Sequence, residues 1–188
     1  GTYRIITTRH EQGQQVAGWG LAAWNGLDDT KRNDWSTWVC VHAGDDWPCD
    51  WLVEPGTQEG TWRIKTCGHD GGKQPAGWGL AAWHGQDDAR RNDYSTWAAV
   101  HAGDEWPMDW TITPGQKPTT WRILTTHHEP GKQPSDWGLS AWHAHGGERN
   151  NWSSKVAVHS GDHWPMDWVF TRVVTDADRT AAQLATTA

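Results

Sequence analysis

The chain has 188 residues, enough for one domain with a sizeable core, and 18 of them are tryptophan beside only two tyrosines and one phenylalanine. Its formal net charge of -7 argues against nucleic acid and anionic membranes as partners, because both require clustered cationic side chains. No run of about 18 apolar residues is present, so membrane insertion is not expected. Localisation stays open, and secretion is compatible with the sequence.

Three tandem copies of one unit make up most of the chain. They open at Thr2, Thr61 and Thr120 with the pattern Thr-aromatic-Arg-Ile, at steps of 59 residues. Each copy then has a Trp-Gly-Leu-x-Ala-Trp segment, a Val-His pair and a Trp-Pro-x-Asp-Trp block, and the third copy is one residue shorter near Asn150. We therefore predict a single domain over residues 1–174, made of repeats 1–60, 61–119 and 120–174, followed by a tail over 175–188.

Each copy contains four short apolar runs, which in the first copy cover residues 3–6, 19–24, 38–42 and 50–53. Clusters of Gly, Pro, Asn and Asp separate these runs, and no stretch has helical periodicity over three turns. Four strands in three copies predict an all-β fold with about twelve strands and pseudo-threefold symmetry, as in a β-trefoil. A propeller typically needs at least four blades, and a solenoid would have shorter units and capping repeats. The tail, mainly small and polar, predicts a poorly ordered end or a short peripheral helix.

Cysteine gives little information about this fold. Cys40, Cys49 and Cys67 form an odd set without metal-type spacing. A bridge between Cys40 and Cys49 is conceivable, but the second copy has Ala99 and Met108 at those positions. The architecture therefore does not depend on a disulfide there, and no metal or other cofactor is expected.

The histidines, aspartates and tryptophans of the second half of each copy are candidates for sugar recognition. Carboxylates and imidazoles can hydrogen-bond ring hydroxyls, and an aromatic face can pack against the apolar face of a pyranose. We assign the aromatic role to Trp47, Trp106 and Trp164. The strand tryptophans, such as Trp19, Trp24 and Trp51, are instead predicted to fill the core or the barrel mouth. The repeated Asp50, Asp109 and Asp167 are predicted to cap turns.

These segments also resemble the galactose- and N-acetylgalactosamine-binding β-trefoil lectins of mussels. Repeats of that family carry His-Pro-x-Gly-Gly, then Asn-Glu-Thr, then His-x-Asp-x-His. The third copy has His-Ala-His-Gly-Gly from His143 to Gly147, the second keeps only His84, and the first has Asn25. The last motif is matched by His101 with Asp104 and its equivalents, with one extra residue between them. The resemblance implies a lectin fold and up to three sugar sites, and its departures concern the sugar specificity.

The candidate ligand-binding set combines both lines of argument. For His42, His101 and His159, a structural role bonded to a turn is an equal alternative. Asn25 predicts altered affinity in copy one, and Lys155, which replaces Trp38 and Trp97, predicts weaker binding in copy three if that tryptophan contributes. The candidates are Asn25, His42, Asp45 and Trp47 in copy one, His84, His101, Asp104 and Trp106 in copy two, and His143, Gly146, His159, Asp162 and Trp164 in copy three.

Three other functions compete with a lectin that binds glycans or glycoconjugates. An enzyme is not expected, because the sequence has no G-x-S-x-G, H-E-x-x-H or glycine-rich phosphate motif and a catalytic site seldom occurs in triplicate. A protein-binding trefoil would use exposed tryptophans as interface anchors. A tryptophan-lined pocket for a small molecule or pigment is the third alternative. The oligomeric state is not determined by the sequence.

Overall fold

The protein is described by a computed structural model covering residues 1–11, 15–23, 34–44, 47, 49–71, 73–82, 94–106, 108–128, 133–141 and 152–186. Within these ranges it is an all-β molecule with twelve strands and one C-terminal helix. The twelve strands form one sheet in which every strand pair is antiparallel. The elements are β1 (Thr2–Thr7), β2 (Gly20–Ala23), β3 (Ser36–His42), β4 (Asp50–Pro55), β5 (Trp62–Thr66), β6 (Gly79–Ala82), β7 (Ser95–His101), β8 (Trp110–Pro114), β9 (Trp121–Thr125), β10 (Gly138–Ala141), β11 (Ser153–His159), β12 (Trp168–Arg172) and α1 (Asp176–Thr186).

The sheet closes on itself. A path through ten strands, in the order β11-β3-β2-β1-β12-β9-β8-β5-β6-β7, is closed because β7 pairs with β11. A second closed path joins the first and last strands of the three copies in the order β1-β12-β9-β8-β5-β4, and β4 pairs back with β1. The prediction of four strands per copy, twelve in all, is confirmed, and the sheet is a closed barrel.

The remaining six strands form three hairpins, one from each copy. They are β2 with β3, β6 with β7, and β10 with β11. The second strands of these hairpins also pair with one another, because β3 contacts both β7 and β11, and β7 contacts β11. The three copies therefore meet directly at β3, β7 and β11.

The first strand of each copy shows the alternation expected of a strand with one buried face. In β1, Ile5 and Thr7 are buried, whereas their neighbours Arg4 and Ile6 are more exposed. In β5, Ile64 and Thr66 repeat this pattern. Buried isoleucines thus line the inside of the strand ring.

Three tryptophans form the centre of the core. Trp51, Trp110 and Trp168 are each 0% exposed. Their indole N–H groups donate to the carbonyl oxygens of Leu21, Leu80 and Leu139 at 2.7, 2.8 and 2.9 Å. Every one of these buried polar groups is therefore satisfied within its own copy, which is the condition for burying a tryptophan without a desolvation cost. The core assignment is confirmed for Trp51 and for Trp19, which is also buried, while Trp24 lies outside the described residues.

A small second cluster of buried side chains lies beside the first residue of β2. Cys40 and Cys49 pack with Ala22 and against Trp47, and all three cysteines of the chain are thiols rather than disulfides. A Cβ on Gly20 would lie 3.2 Å from the Sγ of Cys49. At the same position in copy two, a Cβ on Gly79 would collide with the Sδ of Met108. Glycine thus begins β2 and β6 because a sulfur-containing side chain occupies the adjacent space.

Two of the three repeated aspartates, Asp109 and Asp167, cap turns between copies as predicted, whereas Asp50 pairs with Arg4. Asp109 accepts hydrogen bonds from the backbone N–H groups of Thr57 and Gln58 and from the Nε of Arg63. Asp167 does the same for Gln116, Lys117 and Arg122. Each carboxylate therefore joins the β-turn after one copy to the final strand of the next.

The tail forms the peripheral helix, one of the two alternatives for this segment. Thr175 and Asp178 form a capping box, in which the Thr175 Oγ1 accepts from the Asp178 N–H at 3.2 Å and the Asp178 carboxylate accepts from the Thr175 N–H at 2.9 Å. Asp176 and Asp178 place negative charge in the first turn, which favours the helix dipole. In the described ranges no helix is long and apolar enough to cross a bilayer.

Candidate functional site

The third strand of every copy ends in a histidine whose ring lies against a tryptophan of the loop that follows. His42 lies against Trp47 with ring centroids 4.2 Å apart, and His101 lies against Trp106 at 4.1 Å. The His159 and Trp164 rings are stacked at 3.2 Å with an interplanar angle of 18°. One face of each indole is therefore covered by an imidazole.

Two of these histidines, His42 and His101, fix the turn that follows them. The Nδ1 of His42 accepts a hydrogen bond from the Gly44 N–H at 3.0 Å, and the Nδ1 of His101 accepts from the Gly103 N–H at 3.1 Å. A neutral imidazole that accepts at Nδ1 carries its proton on Nε2. His101 and His159 are only 7% and 3% exposed. The geometry gives these histidines a role in shaping the loop.

We expect His101→Ala to lower the free energy of unfolding by about 2 kcal/mol, because the half-buried Gly103 N–H loses its acceptor and Trp106 loses the ring that lies against it. Urea denaturation followed by circular dichroism measures this. His163→Ala is the matched control, since His163 is exposed and its loss should cost no more than about 0.5 kcal/mol. An equal, small effect of both changes would contradict the structural role of His101.

Two predicted aspartates lie in the same loops and are exposed to solvent. Asp104 accepts from the Nη1 of Arg63 at 2.9 Å, and its side chain is 86% exposed. Asp162 lies 3.5 Å from the Nη1 of Arg122. The Nε of each arginine is bonded to a buried aspartate at the base of the same block, Asp109 or Asp167. The arginines therefore connect the exposed carboxylates to the rigid turns below them.

Three further aromatic side chains, which sequence reasoning did not assign to the site, project into solvent. Trp35, Tyr94 and Trp152 are 68%, 70% and 69% exposed, the highest values among the large hydrophobic residues described. They occupy equivalent positions in the three copies, directly before β3, β7 and β11. The available signal was an aromatic residue kept in a polar Asn-Asp/Asn-aromatic-Ser context, next to a strand but outside its apolar run.

Each exposed aromatic residue meets the histidine loop of another copy. The carbonyl oxygen of Trp152 accepts from the Ala43 N–H at 2.9 Å. Trp35 accepts in the same way from Ala102, and Tyr94 from Ser160. The strand register is consistent with this, since Ser153, Ser36 and Ser95, which follow the aromatic residues, lie opposite His42, His101 and His159. Each of the three sites is thus built from two copies.

Lys155 lies where the three third strands meet. Its Nζ lies over the Trp97 ring and 5.0 Å from the centroid of Trp38. The two indoles pack edge to face with centroids 4.5 Å apart. Lys155 itself is only 5% exposed. The exchange of tryptophan for lysine therefore changes the contact between copies, where the ammonium group can interact with both rings.

A second repeated feature, also absent from the sequence interpretation, lies in the loops after β1, β5 and β9. His10, His69 and His128 form isolated β-bridges with Gln15, Gln74 and Gln133. In copy one a cavity of about 430 Å³ lies here, lined in part by His10 and Gln15. Burial lowers the pKa of His10, and the positive charge of Lys117 lowers it further.

Five predicted site residues lie outside the described residues, and nothing is derived from their positions: Asn25, Asp45, His84, His143 and Gly146. The structure brings His101, Asp104 and Trp106 into one loop, and His159, Asp162 and Trp164 into another. It places His42 and Trp47 in the equivalent contact of copy one. Within the part of the chain that is described, no group of three His, Cys, Asp or Glu side chains is arranged to hold a metal ion.

Comparison with known proteins shows that the fold of this chain is similar to that of solved structures. No family model and no curated protein match the sequence. Four solved chains match the structure. One is SeviL bound to asialo-GM1 saccharide, with a TM-score of 0.52 and 10% identity over 92% of this chain and 98% of that chain. Another is the cytolethal distending toxin of Haemophilus ducreyi, with a TM-score of 0.51 and 13% identity over 92% of this chain and 85% of that chain.

Proposed function

We propose that this chain is a β-trefoil lectin that binds carbohydrate without catalysis at three related sites. The trefoil assignment is supported by the six-strand ring, by the three hairpins that meet at β3, β7 and β11, and by the same four-strand unit in each copy. The proposal includes two further statements: the three copies are equivalent units, and their sites together bind clustered glycans more tightly than one site does.

One observation carries the proposal. An aromatic residue is exposed to solvent at the same position of all three copies, and each lies beside a polar loop of another copy. Large aromatic side chains left about 70% exposed, such as Trp35, Tyr94 and Trp152, lose the free energy that burial would give. Scattered single exposures need no explanation, but three at equivalent positions, adjacent to equivalent loops, form a pattern. The apolar face of a pyranose would cover such a ring while its hydroxyls stay hydrogen-bonded.

The polar half of each site would come from the adjacent loop. Asp104 and Asp162 are exposed carboxylates held at one oxygen by Arg63 and Arg122. The remaining acceptor positions of such a carboxylate can bind two neighbouring sugar hydroxyls. Since these groups and the net charge of -7 are negative, we expect neutral glycans to bind better than sialylated or sulfated ones.

The sugar proposed first is galactose or N-acetylgalactosamine. The partial match to the mussel lectin motifs supports this choice, and so does the fold shared with SeviL, which is described as bound to asialo-GM1 saccharide. Three weak sites on one domain would give avidity for clustered glycans through effective concentration, by a factor of about 10² or more.

The test is a glycan array followed by calorimetric titration of any hit, with galactose, N-acetylgalactosamine and asialo-GM1 saccharide included. We expect saturable binding that is weakened about 100-fold in the triple variant Trp35→Ala, Tyr94→Ala and Trp152→Ala, because multivalent attachment is lost together with the stacking contacts. Each single variant should have a smaller, graded effect. All three residues lie on the surface, so the variant should unfold at nearly the same urea concentration as the wild type.

The control is the double variant Trp62→Ala and Trp121→Ala, which removes two partly exposed tryptophans away from the histidine loops. It should keep glycan binding. The lectin proposal would be rejected if the wild type bound no glycan on the array, or if the triple variant bound glycans as well as the wild type. In the first case a protein partner that uses the three aromatic residues as anchors becomes the better hypothesis.

A further inference from the structure

The opening of the strand ring holds an apolar cavity of about 410 Å³, separate from the histidine loops. Tyr3, Trp62 and Trp121 are equivalent residues, each from the first strand of its copy. Val53, Ile112 and Phe170 are likewise equivalent residues of the fourth strands. Side chains from all three copies therefore surround the cavity, and Gly1 is its seventh lining residue.

The cavity has an apolar floor. Ile5, Ile64 and Ile123 each follow a lining aromatic residue by two positions in the first strand of a copy, and they are completely buried. Successive side chains of a strand alternate between faces, so residues two apart share the inner face. The isoleucines thus fill the inside of the ring beneath the aromatic rim.

This pocket shares no lining residue with the proposed sugar sites, and the histidines of those sites lie toward the opposite end of the first strands. The nearest link is Arg63, which follows Trp62 and bonds Asp104 at 2.9 Å. Gly79 is paired both with Lys65, near the end of β5, and with His101, at the start of the polar loop. Trp62, by contrast, is the first residue of β5. Binding in the pocket and binding at the histidine loops can therefore be measured independently.

The rim retains exposed apolar surface. Trp62 and Trp121 are 39% and 42% exposed. Tyr3 and Phe170 pack edge to face with centroids 6.0 Å apart, which leaves ring faces and edges directed around the opening. The volume lies in the range of small-molecule sites, which are typically about 300–1,000 Å³ and mostly apolar.

The chemistry of the lining selects the ligand class. The lining side chains are uncharged, and the one charged group at the pocket, the Gly1 ammonium, donates to the carbonyl oxygen of Val53 at 2.7 Å. A cationic ligand would therefore lose hydration and meet a like charge, while the net charge of -7 disfavours an anionic one. Aromatic rings bind other aromatic rings in offset or edge-to-face geometry. A second copy of this chain fits poorly, because two concave openings placed face to face would enclose empty space rather than pack. We propose that the barrel mouth is a binding site for an uncharged, planar aromatic small molecule.

The neutral fluorescent probe N-phenyl-1-naphthylamine tests this site. The wild type should give saturable fluorescence enhancement at one probe per chain, and Trp62→Ala with Trp121→Ala should bind it at least about tenfold more weakly. Trp121→Gln, a single change at the rim, gives a smaller loss and serves if the double variant fails to fold. The triple variant Trp35→Ala, Tyr94→Ala and Trp152→Ala is the matched control and should bind the probe like the wild type.

Three results would overturn the proposal. They are the absence of saturable binding by the wild type, binding that the rim variants leave unchanged, and a wild-type dimer in sedimentation analysis that becomes a monomer in the rim variants. The last result would assign the surface to a second copy. Failure of the lectin proposal is distinguishable, because glycan titrations use the other end of the molecule and should not respond to the probe.

Discussion

Replacing Trp110 by alanine should lower the free energy of unfolding by about 3–5 kcal/mol, the largest effect of any single change considered. Trp110 is completely buried, and the change both empties a large volume at the centre of the barrel and leaves the carbonyl oxygen of Leu80 without its indole donor. Most single domains have only about 5–15 kcal/mol of stability in total. Urea denaturation followed by far-UV circular dichroism measures the loss.

Trp110→Phe separates the two causes. Phenylalanine restores part of the volume but not the donor, so its cost should be intermediate, with about 1–3 kcal/mol from the unsatisfied carbonyl. The control is Trp121→Ala, since Trp121 is 42% exposed and should contribute far less. Equal destabilisation by Trp110→Ala and Trp121→Ala would mean that the buried tryptophans do not dominate the core.

The strands were predictable because their information is local and repeated. The 59-residue step aligns Ile5, Ile64 and Ile123, and the Gly- and Pro-rich segments between apolar runs mark where strands end. The roles of Trp51 and Asp109 also follow from position, since each lies at the start of a strand where a core residue and a turn cap are needed. Threefold repetition made each of these inferences three independent observations.

The composition of the candidate site was less predictable, because it depends on contacts between copies. Trp35 and Trp38 are three residues apart in one polar-to-apolar transition, yet Trp35 is exposed and Trp38 packs against Trp97. Only the pairing of β3 with β7 and β11 determines which of them faces the neighbouring copy. The stacking of His101 on Trp106 is similar, since a motif indicates that both residues matter but not that they contact each other.

Asp109→Ala should destabilise the protein by about 3 kcal/mol, because it leaves the mostly buried Arg63 guanidinium without its buried partner and the Thr57–Gln58 turn without its acceptor. The matched control lies at the same position of copy one. Asp50 pairs with Arg4 at 2.9 Å, but both side chains are 38% exposed. Asp50→Ala should therefore cost about 1 kcal/mol or less.

The same carboxylate should make stability depend on acid pH. Burial alone raises the pKa of Asp109, but the hydrogen bonds from Thr57 and Arg63 outweigh it, and the net pKa lies below the ordinary carboxyl value. A carboxyl group whose pKa is lower in the folded state stabilises the protein fully above its unfolded-state pKa of about 3.9, and this stabilisation is lost as pH falls through the lower folded-state value.

The comparison of wild type with Asp109→Asn isolates this contribution, since asparagine keeps the shape and does not ionise. The difference in unfolding free energy should be constant from about pH 7 to pH 5 and should narrow below about pH 4. Asp167 is bonded in the same way and its pKa is also lowered, so Asp167→Asn should give the same curve. A difference that stays constant down to about pH 2 would show that the charge of these aspartates does not stabilise the turns.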